Sequence, residues 1–227
     1  MTVRFVTGFI PIKNHPRPID EYKKLGERLF EFGKTLPQPI LVWYGTLADT
    51  WLGNYLADSQ KRVYVASADN PTKNTLAYHC VQHQKTEWIY GALMADGKTD
   101  VFIWVDYGIF SVPGVTEQLL RQVHDRAEKE TAIAIPGCWA DPGDRGDDNP
   151  NWRFCGGLIV VPRAHVFALD VAVKAETLRH LNAGGKLTWE VNTLARVELR
   201  HEVPLWWYAA DHNEKMFANY PETHRAS

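Results

Sequence analysis

The residues able to do chemistry gather in a few short stretches, and the first is VFIWVDYGIF at 101–110, where Val101 to Val105 run straight into Asp106. A carboxylate beside so apolar a run is costly to bury without a partner, which places it at the open end of a buried strand. Open α/β sheets bind their ligands at that end. The structural alternative is that Asp106 caps the next turn, for which Asp106-Tyr107-Gly108 is adequate turn chemistry. His79 and His83 stand four apart in a predicted helix and could share a metal, but Cys80, Val81 and Gln82 between them lack the glutamate of a zinc protease. An ordinary polar helix face competes with that reading. Lys85 lies in the stretch that leads into the Asp106 strand and could aim an ammonium at a phosphate, with a solvated lysine as the alternative.

Common phosphate and hydrolase motifs fail. GALMADGKT at 91–99 puts five residues between its glycines where a P-loop has four, and it precedes a strand instead of following one. The chain has no Gly-x-Gly-x-x-Gly and no Gly-x-Ser-x-Gly, which removes the Rossmann fingerprint and the serine-hydrolase elbow.

The elements that must position these residues alternate as in an α/β chain. VRFVTGFI (3–10) predicts a first buried strand, and 18–34 a helix with Tyr22, Leu25, Leu29 and Phe32 on one face. Strands are predicted at 39–45, 61–68 and 101–105, with one or two helices over 73–95. A helix near 116–130, the strands TAIAIPG and FCGGLIVVPR, helices near 164–182 and 188–199, and a late strand or loop in PLWWYAADH complete the series. WADPGDRGDDNPNW (139–152) has no apolar periodicity and predicts a loop; its aspartates at 141, 144, 147 and 148 do not match the EF-hand spacing.

The bulk numbers bound the answer. In 227 residues, 45% hydrophobic and with nine Trp, there is enough apolar surface for one large core. A net charge of -2 gives no electrostatic footprint for duplex nucleic acid. The apolar runs are strand-length and the N-terminus lacks signal-peptide features, so a cytoplasmic protein without a membrane span is expected. Cys80, Cys138 and Cys155 are too few and too scattered for a disulfide framework and are expected as free buried thiols.

VTGFIPI, HQKTEWIYGAL, VFIWVDYGIF, FCGGLIVVPR and WYAADHNEKMFANYP occur in the order found in the HtrL/YibB-like family, which the chain resembles over roughly 1–221. That family itself resembles the GT-A glycosyltransferases. The resemblance implies a single GT-A-like α/β domain over 1–227, with a mixed, mainly parallel central sheet flanked by helices, a flexible loop at 139–152 and a tail at 222–227. It implies a glycosyltransferase taking sugar from a nucleotide-sugar donor, expected to be UDP-linked, to an acceptor that is a glycan, protein or modified nucleobase. Carried over by position, Thr7, Gly8 and Phe9 lie beside the donor base, and Cys155, Gly156 and Gly157 form a small-residue strand under the donor sugar, where two glycines could equally mark close packing. Asp106 takes the acidic-motif position, Lys85 faces the donor, and Glu190 and Asp211 serve the acceptor. His212, with Asp106, is the expected ligand of Mn2+ or Mg2+ on the diphosphate. One departure matters: Gly108 stands where a second acid belongs, so either the metal has few protein ligands or cations such as Lys85 and Arg153 replace it. The alternative function is a binding module for nucleotide sugar or glycan that has lost the chemistry; nucleotidyl transfer ranks last, because GFIPIKNHPRP has lysine and arginine but one glycine.

Overall fold

The computed structural model describes residues 1–13, 15, 17–60, 62–67 and 73–221. Six strands form one sheet: β1 (Val3–Phe9), β2 (Leu41–Tyr44), β3 (Val101–Val105), β4 (Ile133–Gly137), β5 (Leu158–Pro162) and β6 (Leu205–Ala209). Their order is β2-β1-β3-β5-β4-β6. β1 pairs in parallel with β2 and β3, and β4 with β6, whereas β5 runs antiparallel to both β3 and β4. Every strand but β5 therefore points the same way, and the ends of β1, β3, β4 and β6 meet the start of β5 along one edge of the sheet.

The sheet is covered on both faces. Residues of β3, β4 and β5 are buried throughout, as continuous apolar runs require when no face meets water. Alternation along β3 sends Phe102 and Trp104 into one core layer with Trp88, Ile159 and Leu169, and Val101, Ile103 and Val105 into the other with Leu29, Phe32 and Leu120. The first layer is closed by α4 (Lys85–Ala95), α6 (Arg163–Asn182) and α7 (Glu190–Leu199). The second is closed by α1 (Ile19–Gly33), α5 (Glu117–Ala127) and α8 (Lys215–Ala218). On α1 the predicted face is the one that packs, with Leu29 and Phe32 buried and Tyr22 and Leu25 partly so. Thr116 starts α5 by accepting from the Leu119 amide.

Two expectations change, and the choice between one and two helices over 73–95 is resolved. The stretch 46–60, given no element by pattern, carries α2 (Trp51–Ser59), whose cap is the Thr50 hydroxyl accepting from the Gly53 amide. The predicted strand at 61–68 is not a member of the sheet: of its described residues, 62–67, Val65 makes an isolated bridge to Leu187. Val63 packs instead with Leu52, Cys80 and Leu187 in a satellite cluster that offers no sheet edge to extend. The 73–95 region divides into α3 (Leu76–His83) and α4, so Lys85 opens a new helix. The predicted tail at 222–227, and residues 61 and 68 of the strand just described, lie outside the described residues. No described helix is long and apolar enough to cross a membrane.

Candidate functional site

Asp106 follows β3 directly, so it lies two residues past Trp104 and on the same face, the face covered by α4 and α7. Both helices begin beside it. Lys85 is the first residue of α4 and Glu190 the first of α7, and the Lys85 ammonium stands 3.0 Å from Asp106 Oδ1 and 2.8 Å from Glu190 Oε1. It also donates to the Gly156 carbonyl at 2.9 Å, and the Trp104 indole N–H donates to Asp106 Oδ1 at 3.0 Å. Side-chain exposure is 5% for Lys85, 10% for Glu190 and 40% for Asp106, so the group is buried at its root and open at its tip. Burial works against the Lys85 ammonium, but the carboxylates of Asp106 and Glu190 outweigh it and hold its pKa above the ordinary lysine range. Burial likewise opposes the Glu190 carboxylate, and Lys85 outweighs it, holding Glu190 below its ordinary value. One ammonium against two carboxylates leaves a net negative charge, and among the described residues no hydrogen bond engages Asp106 Oδ2.

The turn under this group needs glycine at one place. A Cβ on Gly156 would sit 2.3 Å from Glu190 Oε1 and 3.1 Å from the Lys85 ammonium, so a side chain there would force the ion pair apart. A Cβ on Gly157 would make ordinary contacts of 3.5 Å and longer, and its carbonyl accepts from the Asp106 amide at 3.2 Å. Cys155, Gly156 and Gly157 therefore form a turn ahead of β5, which corrects the expected small-residue strand: β5 begins at Leu158, where the ladder to β3 begins.

Asp106 opens into a cavity of about 1000 Å³ lined by Gly8, Phe9, Tyr22, Lys85, Trp104 and His212, among others. Its wall also carries Lys13, His15 and Arg17 from the loop between β1 and α1, and Lys73 from just before α3. Thr7 is fully buried in β1 and does not line it. Gly8 is small for a packing reason, since a Cβ there would lie 2.5 Å from the Trp88 ring. His212 lies at the cavity wall with its ring 5.1 Å from that of Trp152; the surrounding protein first, then Lys73 and Lys85, hold its pKa below the ordinary histidine value. Asp211 does not join the group: it is exposed and pairs with Lys215 at 2.6 Å.

Other expected groups have structural partners. Arg153 forks onto Glu198 at 2.5 and 2.8 Å and donates to the carbonyls of Trp139 and Ala140, so it is committed away from the cavity. His79 and His83 are buried, which corrects the polar-face alternative; burial pushes His79 down to about 3, and both ring nitrogens of His83 are engaged, by the His79 carbonyl and the Thr193 hydroxyl. Of the cysteines expected to be buried, Cys138 is exposed, and its Sγ lies 3.7 Å from that of buried Cys155. The 139–152 segment forms neither helix nor strand and is tied to α7: Arg196 pairs with Asp144 and Asp147, and the Asn192 side chain donates to the carbonyls of Gly146 and Asn149. None of it lines the cavity.

The donor set does not suit a divalent ion. A hard cation wants several oxygens, yet Asp106 Oδ1 already faces an ammonium, Gly108 supplies no carboxylate, and among the described residues no three His, Cys, Asp or Glu side chains are gathered for a metal. Sequence reasoning named Asp106, Lys85 and Glu190 but missed Trp104, whose spacing of two from Asp106 was the available signal, and Lys73, which carried none.

No family model matches the chain, and no curated protein matches it. The fold is glycosyltransferase-like. A solved structure described as a glycosyltransferase involved in the glycosylation of the major capsid of PBCV-1 superimposes with a TM-score of 0.53 at 13% identity, covering 93% of this chain and 82% of that one. Mouse xyloside xylosyltransferase 1 in its apo form gives a TM-score of 0.46 at 9% identity, covering 93% and 86%.

Proposed function

We propose that the protein transfers a sugar from a nucleoside-diphosphate donor, expected to be uridine-linked, to an acceptor hydroxyl or amine. The observation that carries this is Asp106, set beyond the C-terminal end of β3 in a glycosyltransferase-like sheet, at the mouth of a cavity, and braced by Lys85, Glu190 and Trp104. The resemblance to the HtrL/YibB-like proteins, and the neighbour that acts in capsid glycosylation, support the same class of reaction. In this reading the bond between the anomeric carbon and the diphosphate oxygen breaks, a bond from that carbon to the acceptor forms, and the acceptor's proton leaves to a base. Asp106 Oδ2 accepts hydrogen bonds from the donor sugar, and Lys85 fixes the carboxylate. Glu190 does not line the cavity and is held ionised, so it acts through Lys85 as a positioning residue. Asp211, salt-bridged at the surface, is a weaker choice for acceptor base than His212, which lines the cavity with its pKa held below the ordinary histidine value by the surrounding protein.

The test is a screen of UDP-sugars for hydrolysis to UDP and for transfer, on the wild type, Asp106→Asn and Glu190→Gln. Turnover lost in Asp106→Asn, by roughly a hundredfold or more as for a lost electrostatic contact at a reacting centre, is the expected result. Binding of a nucleotide sugar without turnover would leave the second reading, a non-catalytic module.

A further inference from the structure

The place of the missing second acid is not empty. A Cβ on Gly108 would lie 3.2 Å from Arg17 Nη1, so a positive charge lies against the spot from which a carboxylate would project. Arg17 is held there by its stack over the Tyr22 ring at 5.1 Å and by a 3.1 Å pair with Glu21 one helical turn on. Lys73 lines the same cavity as Arg17, His15 and His212. Lys13 lines the cavity beside them, and neither Lys13 nor Lys73 has an ion-pair partner among the described residues. The first residue of α1, Ile19, lines this wall as well. Cationic side chains thus line the cavity into which Asp106 opens, and its protein groups do not suit a divalent ion.

Resting on the transferase reading, we infer that Arg17, Lys73 and Lys13 form a metal-independent diphosphate subsite, with side-chain cations doing what a bridging metal does for an Asp-x-Asp motif. Guanidinium and ammonium groups neutralise the charge that builds on the leaving diphosphate without a cluster of carboxylates to coordinate an ion. Glycine at 108 follows from this: a carboxylate there would capture Arg17.

The experiment is calorimetric titration of the full chain with UDP, uridine and inorganic pyrophosphate, each in EDTA and in Mn2+, on the wild type, Arg17→Ala, Arg17→Lys, Lys73→Ala and Gly108→Asp. The expected result is UDP binding in EDTA that Mn2+ leaves unchanged. Arg17→Ala and Lys73→Ala should each weaken it about tenfold, the size of one lost charged hydrogen bond, with partial recovery in Arg17→Lys and no change in uridine affinity. Gly108→Asp should weaken UDP binding in EDTA. UDP binding only with Mn2+ would overturn the subsite and leave the transferase reading standing. Pyrophosphate bound in EDTA through Arg17, with UDP silent, would uphold the subsite and discard uridine. Binding of neither probe under either condition would overturn the subsite and withdraw nucleoside-diphosphate binding along with it.

Discussion

Lys85 concentrates the physical argument at the scale of single residues. An ammonium with two carboxylates and a carbonyl around it, 5% exposed, is stable only because each lost water is replaced by a charged or polar oxygen. Removing one partner should therefore cost more than the pair is worth. Lys85→Met is expected to lower unfolding stability by about 3–5 kcal/mol by stranding the buried Glu190 carboxylate, and adding Glu190→Gln should return most of the loss. Denaturant titration of the wild type and both variants measures it; a loss under about 1 kcal/mol, the size of an exposed pair, would mean that Glu190 reaches water. The pH dependence has a fixed sign. Glu190 is held below its ordinary 4.5, so its contribution is complete above that value and is lost as pH falls through the depressed pKa. Lys85 is held above its ordinary 10.5, so its contribution is complete below that value and is lost as pH rises through the raised pKa. The acid limb should be shallower in Glu190→Gln than in the wild type; parallel limbs would remove Glu190 as its cause.

Among elements, the site depends on where two helices start. α4 and α7 both open against the end of β3, and the Cys155–Gly157 turn passes beneath them. Lys85 sits at the N-terminus of α4, where a cation is electrostatically disfavoured, and the two carboxylates offset that. Close approach of the turn makes a sharp contrast between neighbouring glycines. Gly156→Ala places a methyl group 2.3 Å from Glu190 Oε1 and is expected to separate Lys85 from Glu190, costing about 1–3 kcal/mol and most of the activity. Gly157→Ala meets only ordinary contacts and should stay within about 1 kcal/mol of the wild type. Thermal denaturation and UDP-sugar turnover on both variants check this; equal effects at the two positions would mean the turn, not the ion pair, sets the requirement.

At the scale of the whole molecule, one sheet supports two core layers, and β3 contributes to both. With alternate residues of a shared strand locked into opposite layers, neither layer can open alone. Tryptophan fluorescence and far-UV circular dichroism should report one coincident unfolding transition; two separated midpoints would show that the layers unfold independently. The same architecture explains what pattern could reveal. Apolar runs at Val101–Val105, Ile133–Gly137 and Leu158–Pro162 fix buried strands whatever their neighbours are, and the periodicity of α1 fixes its packed face, because burial depends on local spacing. Asp106 was legible for the same reason, as the polar end of such a run. Residues 62–67 were misread because apolar alternation does not say whether a sheet edge is free to receive it. The pairing of Lys85 with Glu190, 105 residues apart, the approach of Arg17 to Gly108, and the exposure of Cys138 beside Cys155 were beyond any local pattern. Spacing along a chain determines which side chains share a face; which faces then meet, and so which charges neutralise one another, is settled only when the strands are ordered in the sheet.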